Sequence, residues 1–284
     1  MSGVELTLLT AGSCTHPGAV ARRGASWAPV EFPALVAVVR HPRHGVLLFD
    51  TGYTPRNASE TAHLPESIYA RAMPVTCRPE QTALAQLAGL GIAAGDVRTV
   101  VLSHLHPDHV GGTRDLPMAR FVLGRDALGP LALPRGLRRL RRGLLPGLLP
   151  DDLHDRTRFV EDLPIATDGL GGPLGPGHDV LGDGSVVAVP LPGHLGGHLG
   201  LLVRTTGPRV LLVGDAAWST RAITHLELPH PVVRLVTHSW NDYRTTLLAL
   251  HDLGRTDPEL RVVPSHCTEA IAATRAALVS DADS

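Results

Sequence analysis

The sequence predicts a mixed α/β (α+β) fold, on three observations. Short apolar, β-branched runs recur along the chain; stretches with helical spacing alternate with them; and the second half repeats the strand-rich character of the first. The clearest run is Val97-Arg-Thr-Val-Val-Leu102, which reads as a buried strand because β-branched and leucine side chains pack well on a pleated sheet.

Taken in order, Val4 to Leu9 reads as a first strand, followed by a turn over Gly12 to Pro17. Ala34 to Val39 and Val46 to Phe49 flank the turn-rich link His41-Pro-Arg-His-Gly45, the pattern of a β-hairpin. Arg78 to Leu90 has helical spacing, with Pro79 near its start, Leu84, Leu87 and Leu90 on one face, and Gly91 ending it. Arg120 to Val122 is a further short strand. Leu131 to Leu153 then sets Arg135, Arg138, Arg139, Arg141 and Arg142 among leucines, with prolines and glycines that prevent one long helix. That stretch reads either as a mobile cationic lid or as a surface excursion with solvated arginines. Gly169 to Gly177 is a Gly/Pro connection. Ser185 to Leu191, Leu199 to Thr205, Arg209 to Val213 and Leu260 to Val263 are expected strands, and Asn241 to Leu253 and Thr268 to Val279 expected helices. A single domain over 1–284 is expected, with an insert at about 124–160.

Composition excludes several classes. The 284 residues carry a net charge of −1, so nothing draws the whole chain to nucleic acid or anionic membrane. All 26 basic residues are arginine, which rules out Schiff-base and P-loop chemistry, since both need a lysine amine. The three cysteines, Cys14, Cys77 and Cys267, are scattered and outside zinc-finger spacing. No secretory signal and no membrane-spanning run is read, so a cytoplasmic enzyme acting on a small molecule is expected, its oligomeric state open. Sixteen histidines, by contrast, point toward metal, since imidazole is the commonest protein ligand for transition metals.

Those histidines concentrate in Ser103-His-Leu-His-Pro-Asp-His-Val-Gly-Gly112, directly after the central strand. In extended backbone the period-2 spacing of His104 and His106 aims both imidazoles the same way. Pro107 turns the chain, and Asp108 and His109 can then face the same cavity. Further candidate ligands stand at other strand ends: His194 in Pro-Gly-His-Leu-Gly-Gly-His198, Asp215 after Gly214, and His266 after Pro264-Ser265. Ligands converging at strand ends are how a rigid sheet presents a preorganised site. Asp50, in Leu-Phe-Asp-Thr-Gly, reads as a turn residue or as a carboxylate that orients a ligating histidine. His16 is left unassigned.

H-x-H-x-D-H, the later P-G-H, a G-D at a strand end and a late S-H, in this order, resemble the metallo-β-lactamase-fold hydrolase superfamily. Its N-acyl homoserine lactonase-like members look most similar. The resemblance implies a four-layer αβ/βα sandwich with a dinuclear site along one edge. It implies one Zn²⁺ at His104, His106 and His194, a second at Asp108, His109 and His266, and Asp215 bridging them; other divalent metals fit the same donors. His198 then supports the site from behind. Two Zn²⁺ with Asp108, Asp215 and one hydroxide leave a charge of about +1, which lowers the pKa of bound water to roughly 7. The implied reaction is attack of a metal-bound hydroxide on a small ester or lactone, with Asp108 or Asp215 moving the proton.

Members that differ in substrate are separable in part. No lysine is available to pair a β-lactam carboxylate, and no cysteine stands at the Asp215 position. The basic face of the family's nucleases is missing, and few residues follow His266 where glyoxalase-II-type thioesterases carry a helical domain. Such a thioesterase, a mononuclear-iron sulfur dioxygenase and a non-catalytic relative are the alternatives. Lactonases often place a tyrosine three residues after the bridging aspartate, where this chain has Trp218. Tyr53 and Tyr243 are candidate stand-ins, and Trp218 and Trp240 candidate walls of an apolar pocket.

Overall fold

The structure is a computed structural model that describes residues 3–134, 136–166, 170 and 174–280. Two sheets carry the architecture. The first contains seven strands: β1 (Glu5–Pro17), β2 (Pro29–His41), β3 (Gly45–Phe49), β4 (Val75–Thr76), β5 (Val97–Val101), β6 (Arg120–Leu123) and β7 (Thr157–Phe159), in the order β4-β1-β2-β3-β5-β6-β7. The second contains five: β8 (His178–Asp179), β9 (Val186–Pro190), β10 (Leu199–Arg204), β11 (Arg209–Gly214) and β12 (Arg261–Pro264), in the order β12-β11-β10-β9-β8.

Period-2 alternation sorts the strand side chains into layers. Leu35, Ala37 and Val39 of β2 and Leu47 and Phe49 of β3 face Ala188, Leu201, Val203 and Leu212 of the second sheet, forming the core between the sheets. The alternate residues face outward. Val38, Leu48, Val100 and Phe121 pack under Leu87, Ile92 and the 144–153 leucines, while Val187, Leu202, Leu211 and Val213 pack under Leu247, Leu250 and Leu253 of helix Trp240–Thr256. This is the expected αβ/βα sandwich. Each fully buried Val or Leu contributes about 1.5–3 kcal/mol, so all three interfaces are strongly held.

The β2–β3 hairpin forms in the expected place, with Ala37 opposite Phe49 and His41 opposite Gly45. Two expectations are corrected. Gly12 to Pro17 is not a turn: β1 runs on to Pro17, with a register shift between Thr10 and Ser13, because Ser13 to Pro17 pairs with β2 and Ser13 and Cys14 also pair with β4. The helix expected from Arg78 begins only at Ala83. A 3-10 turn over Pro79–Gln81 precedes it, and the Thr82 side chain accepts from Ala85 N as its cap.

Between β6 and β7 lie short 3-10 turns and one helical turn, Leu137–Leu140. Arg135 lies outside the described residues, as do Gly169 and residues 171–173 of the Gly/Pro connection. Among the described residues no helix is long and apolar enough to cross a membrane.

Candidate metal centre

β3 and β5 run parallel, so their C-terminal ends deliver Asp50 and Ser103 to the same edge. Asp50 has φ 60°, a left-handed conformation costly for a side-chain-bearing residue. Its surroundings hold it there: Ser103 donates from its N–H (2.7 Å) and its hydroxyl (2.8 Å), and His109 Nδ1 donates at 2.7 Å. Pro107–Val110 forms a single helical turn with proline at its first position, which swings Asp108 and His109 back toward His104 and His106. β11 and β12, also parallel, bring Asp215 and His266, and the β9–β10 connection brings His194.

Seven sequence-predicted side chains thereby converge in two groups, His104–His106–His194–Asp215 and Asp108–His109–His266–Asp215. In the first, His106 Nδ1 lies 2.9 Å from His104 Nε2 and 3.1 Å from His194 Nε2, and Asp215 Oδ2 lies 3.4 Å from His194 Nε2. In the second, His109 Nε2 lies 3.2 Å from Asp108 Oδ2 and 3.3 Å from Asp215 Oδ1. His266 Nε2 lies 3.3 Å from Asp108 Oδ2 and 3.1 Å from Asp215 Oδ1. Asp215 Oδ1 faces the second group, while Oδ2 lies 3.4 Å from His194 Nε2 and 3.3 Å from His266 Nε2, so the carboxylate stands between the two groups.

The hydrogen bonds on the outer ring nitrogens set the tautomers, and the tautomers fit a cation. His109 Nδ1 donates to Asp50, His266 Nδ1 to the Pro33 carbonyl at 2.7 Å, and His106 Nε2 to the Arg142 carbonyl at 3.0 Å. Ser103 Oγ donates to Asp50, which leaves it to accept from His104 Nδ1 at 3.0 Å. The inner nitrogens are therefore the ones left to bind a cation, which for His109 and His266, facing the carboxylates, is a proton or a metal ion. Buried His109 Nε2 and Asp215 Oδ1 have no hydrogen-bond partner, and an unsatisfied buried polar atom costs about 1–3 kcal/mol. A divalent ion in the second group would satisfy both.

Electrostatics divide the groups in the same way. Burial drives His104 well below the ordinary imidazole range, and His109, His106 and His194 add to the effect. Burial acts downward on His109 too, but Asp108, Asp50 and Asp215 outweigh it and hold that imidazole well above its ordinary value. Burial raises Asp108, but His109 and His266 more than offset it and bring the carboxyl to about 2. The imidazoles of the first group are thus held neutral beside the ionised Asp215, whereas in the second group Asp108 and Asp215 hold positive charge on His109 and raise His266 to about 9.

His198 stands behind the site: its Nε2 accepts from the Asp215 backbone N–H at 3.1 Å, and it belongs to neither group. Asp50 reaches the centre through His109. Asp50→Asn keeps the shape but puts an amide N–H₂ against a ring donor, so about 10- to 100-fold weaker metal binding is expected. Chelator competition measures it, and unchanged affinity would contradict this role for Asp50.

A cavity of about 520 Å³ opens over the two groups. Apolar side chains dominate its wall, among them Val20, Phe32, Ile68, Met73, Leu140 and Val236. Trp218 lines it and donates Nε1–H to Asp215 Oδ2 at 3.1 Å. The structure corrects the other aromatic expectations. Tyr53 is fully buried among Cys14, Phe32 and Ala34, and Tyr243 is buried and stacked on Trp240, so neither phenol nor Trp240 reaches the cavity. The tyrosine on the wall is Tyr69, from helix Glu66–Ala72, which carries no spacing signal connecting it to the motifs. His16 lies on the wall as well, stacked on Phe32 with ring centroids 3.8 Å apart.

A third cluster, His41–His44–Asp183, lacks the properties of the first two. His41 Nδ1 accepts from two backbone N–H groups, its Nε2 pairs with Asp183 at 2.8 Å, and Arg43 also holds Asp183. The His41 ring and the Asp183 carboxylate are thus already engaged by these partners.

The fold and the seven converging side chains form a candidate metal-binding edge, and the family profile of the metallo-beta-lactamase superfamily matches residues 30–266. The chain belongs to that superfamily. Among its relatives, an N-acyl homoserine lactonase of Azorhizobium caulinodans is 30% identical over 227 residues, covering 77% of this chain and 78% of the relative. A probable metallo-hydrolase of Mycobacterium tuberculosis is 28% identical over 230 residues, covering 78% and 71%. A solved N-acyl homoserine lactone hydrolase, with N-hexanoyl-L-homoserine at its catalytic metal centre, superposes with a TM-score of 0.71. Its identity is 17%, and 96% and 97% of the two chains are covered.

Proposed function

We propose that the protein is a dinuclear-zinc hydrolase that opens small lactones or esters carrying an apolar group. The observation that carries this reading is Asp215, whose carboxylate stands between two candidate ligand groups and belongs to both, beneath an apolar cavity. Bound there, two Zn²⁺ ions supply Lewis acidity and bring the pKa of water down to about 7. His104, His106 and His194 would hold one ion and Asp108, His109 and His266 the other, with Asp215 available to both.

The chain's own groups do the rest. Asp108, on the cavity wall and anionic through the neutral range, is placed to take and return the proton. The Trp218 indole N–H fixes one Asp215 oxygen, so Trp218 does not replace a lactonase tyrosine as a free donor. Tyr69, which lines the same cavity, is the candidate for that role. The apolar wall takes the acyl body and excludes water from it. Both ligand groups being complete favours this reading over a mononuclear iron site, which leaves Asp108 and His109 unused. The small-molecule substrate would be met in the cytoplasm.

A pH-indicator screen of purified protein over lactones, thioesters, phosphodiesters and nitrocefin tests the reaction. Proton release from lactones of rising acyl length is the expected result. Turnover of phosphodiesters or nitrocefin alone would overturn it.

A further inference from the structure

The cavity wall and the support of one ligand are the same piece of backbone. Leu140, Arg141, Arg142 and Gly143 line the cavity. The Arg142 carbonyl accepts the His106 Nε2–H at 3.0 Å, and the Arg142 guanidinium reaches the Thr237 carbonyl at 3.3 Å. Gly143 has φ +65°, and a Cβ there would lie 2.9 Å from His106 Cδ2 and 3.0 Å from Nε2. The ring is therefore gripped on its outer edge by one carbonyl and closed over by a residue with no side chain. Only the Nδ1 edge is left to face His104 and His194.

We propose that Arg142 and Gly143 are positioning residues for His106, so that this stretch of the substrate-cavity wall sets metal affinity in the His104–His106–His194 group. The inference rests on the metal-site reading above. A carbonyl on the distal nitrogen fixes the tautomer and raises the basicity of the ligating one, and losing such support typically costs about 10- to 100-fold in affinity. In a stretch read from sequence as a lid or a solvated excursion, the working part is thus a backbone atom and a missing Cβ, while Arg142's side chain ties the stretch to the facing wall.

Gly143→Ala and Gly136→Ala separate ring contact from backbone strain. Gly136 also has positive φ (+134°) and sits in the same stretch, but a Cβ there meets nothing within 4 Å. Each folded variant and the wild type are titrated with Zn²⁺ against a chelator, and with Co²⁺ followed by visible absorption. Two sites in the wild type support the metal-site reading independently of either variant. For Gly143→Ala, one of the two sites is expected to weaken by about 10- to 100-fold with a changed Co²⁺ spectrum, the other remaining as in wild type. Gly136→Ala is expected to bind both ions as wild type does. Equal affinity and spectrum in Gly143→Ala, or equal weakening in both variants, would overturn the proposal. If Gly143→Ala does not fold, imidazole NMR of the zinc-loaded wild type decides: a His106 Nε2–H tautomer is expected, and an Nδ1–H tautomer overturns the clamp.

Discussion

Asp215→Ala is expected to lower kcat/KM on any hydrolysed ester by about 10³-fold or more, a barrier increase of roughly 4 kcal/mol. The size follows from position. Asp215 Oδ2 lies 3.4 Å from His194 Nε2 in one group, and Oδ1 lies 3.1 Å from His266 Nε2 and 3.3 Å from His109 Nε2 in the other. Truncation removes the anion shared by the two groups and frees the Trp218 N–H that now binds it. It also leaves His109 and His266 facing Asp108 as the remaining carboxylate among the ligands. Metal content should fall together with activity. Steady-state kinetics with metal analysis on the same sample measures both, and wild-type turnover with two ions bound would contradict the bridging role.

Gly52→Ala is expected to destabilise the fold by about 3–5 kcal/mol, combining left-handed strain with overpacking. Gly52 has φ +68°, and a Cβ there would lie 2.2 Å from Ala11 Cβ and 2.9 Å from Ala11 O. Neither side can give: Tyr53 N is bonded to Ala11 O at 2.8 Å, and Thr51 N to His109 O at 2.8 Å. The second of these bonds ties the Asp50-Thr-Gly turn to the ligand loop. A fall in Tm of about 10 °C is the expected reading for a chain of this size. Ala11→Gly in the same chain should recover part of it by removing the facing methyl. An unchanged Tm in the single variant would show that β1 moves more freely than the packing implies.

How far the sequence carried each of these points depended on whether its cause was local. The β5 run and the β2–β3 hairpin were legible because alternation and a glycine-bounded turn act within a few residues. The convergence of the seven side chains was legible for a related reason. His104 to His109 crowd into one stretch, and the others follow strand ends, where a sheet can deliver them to one edge. What escaped depends on distant partners. β1 continues through Gly12 to Pro17 because β2 and β4 pair with it there, and pairing across the chain leaves no periodic signal in those six residues. The supports of His266 and His106 are the carbonyls of Pro33 and Arg142, which any residue type could supply. Tyr69 reaches the cavity from a seven-residue helix, whereas Tyr53 lies beside the motif in sequence and is buried behind it.

On the proposed reading, two metal ions, one per group, make this edge of the sandwich hydrolytic. The decisive experiment strips the protein with a chelator and returns Zn²⁺ by equivalents while following lactone opening. Turnover should rise to a plateau at two equivalents per chain, and His109→Ala should not reach that plateau. A plateau at one equivalent, or full activity and metal content in His109→Ala, would contradict the dinuclear account.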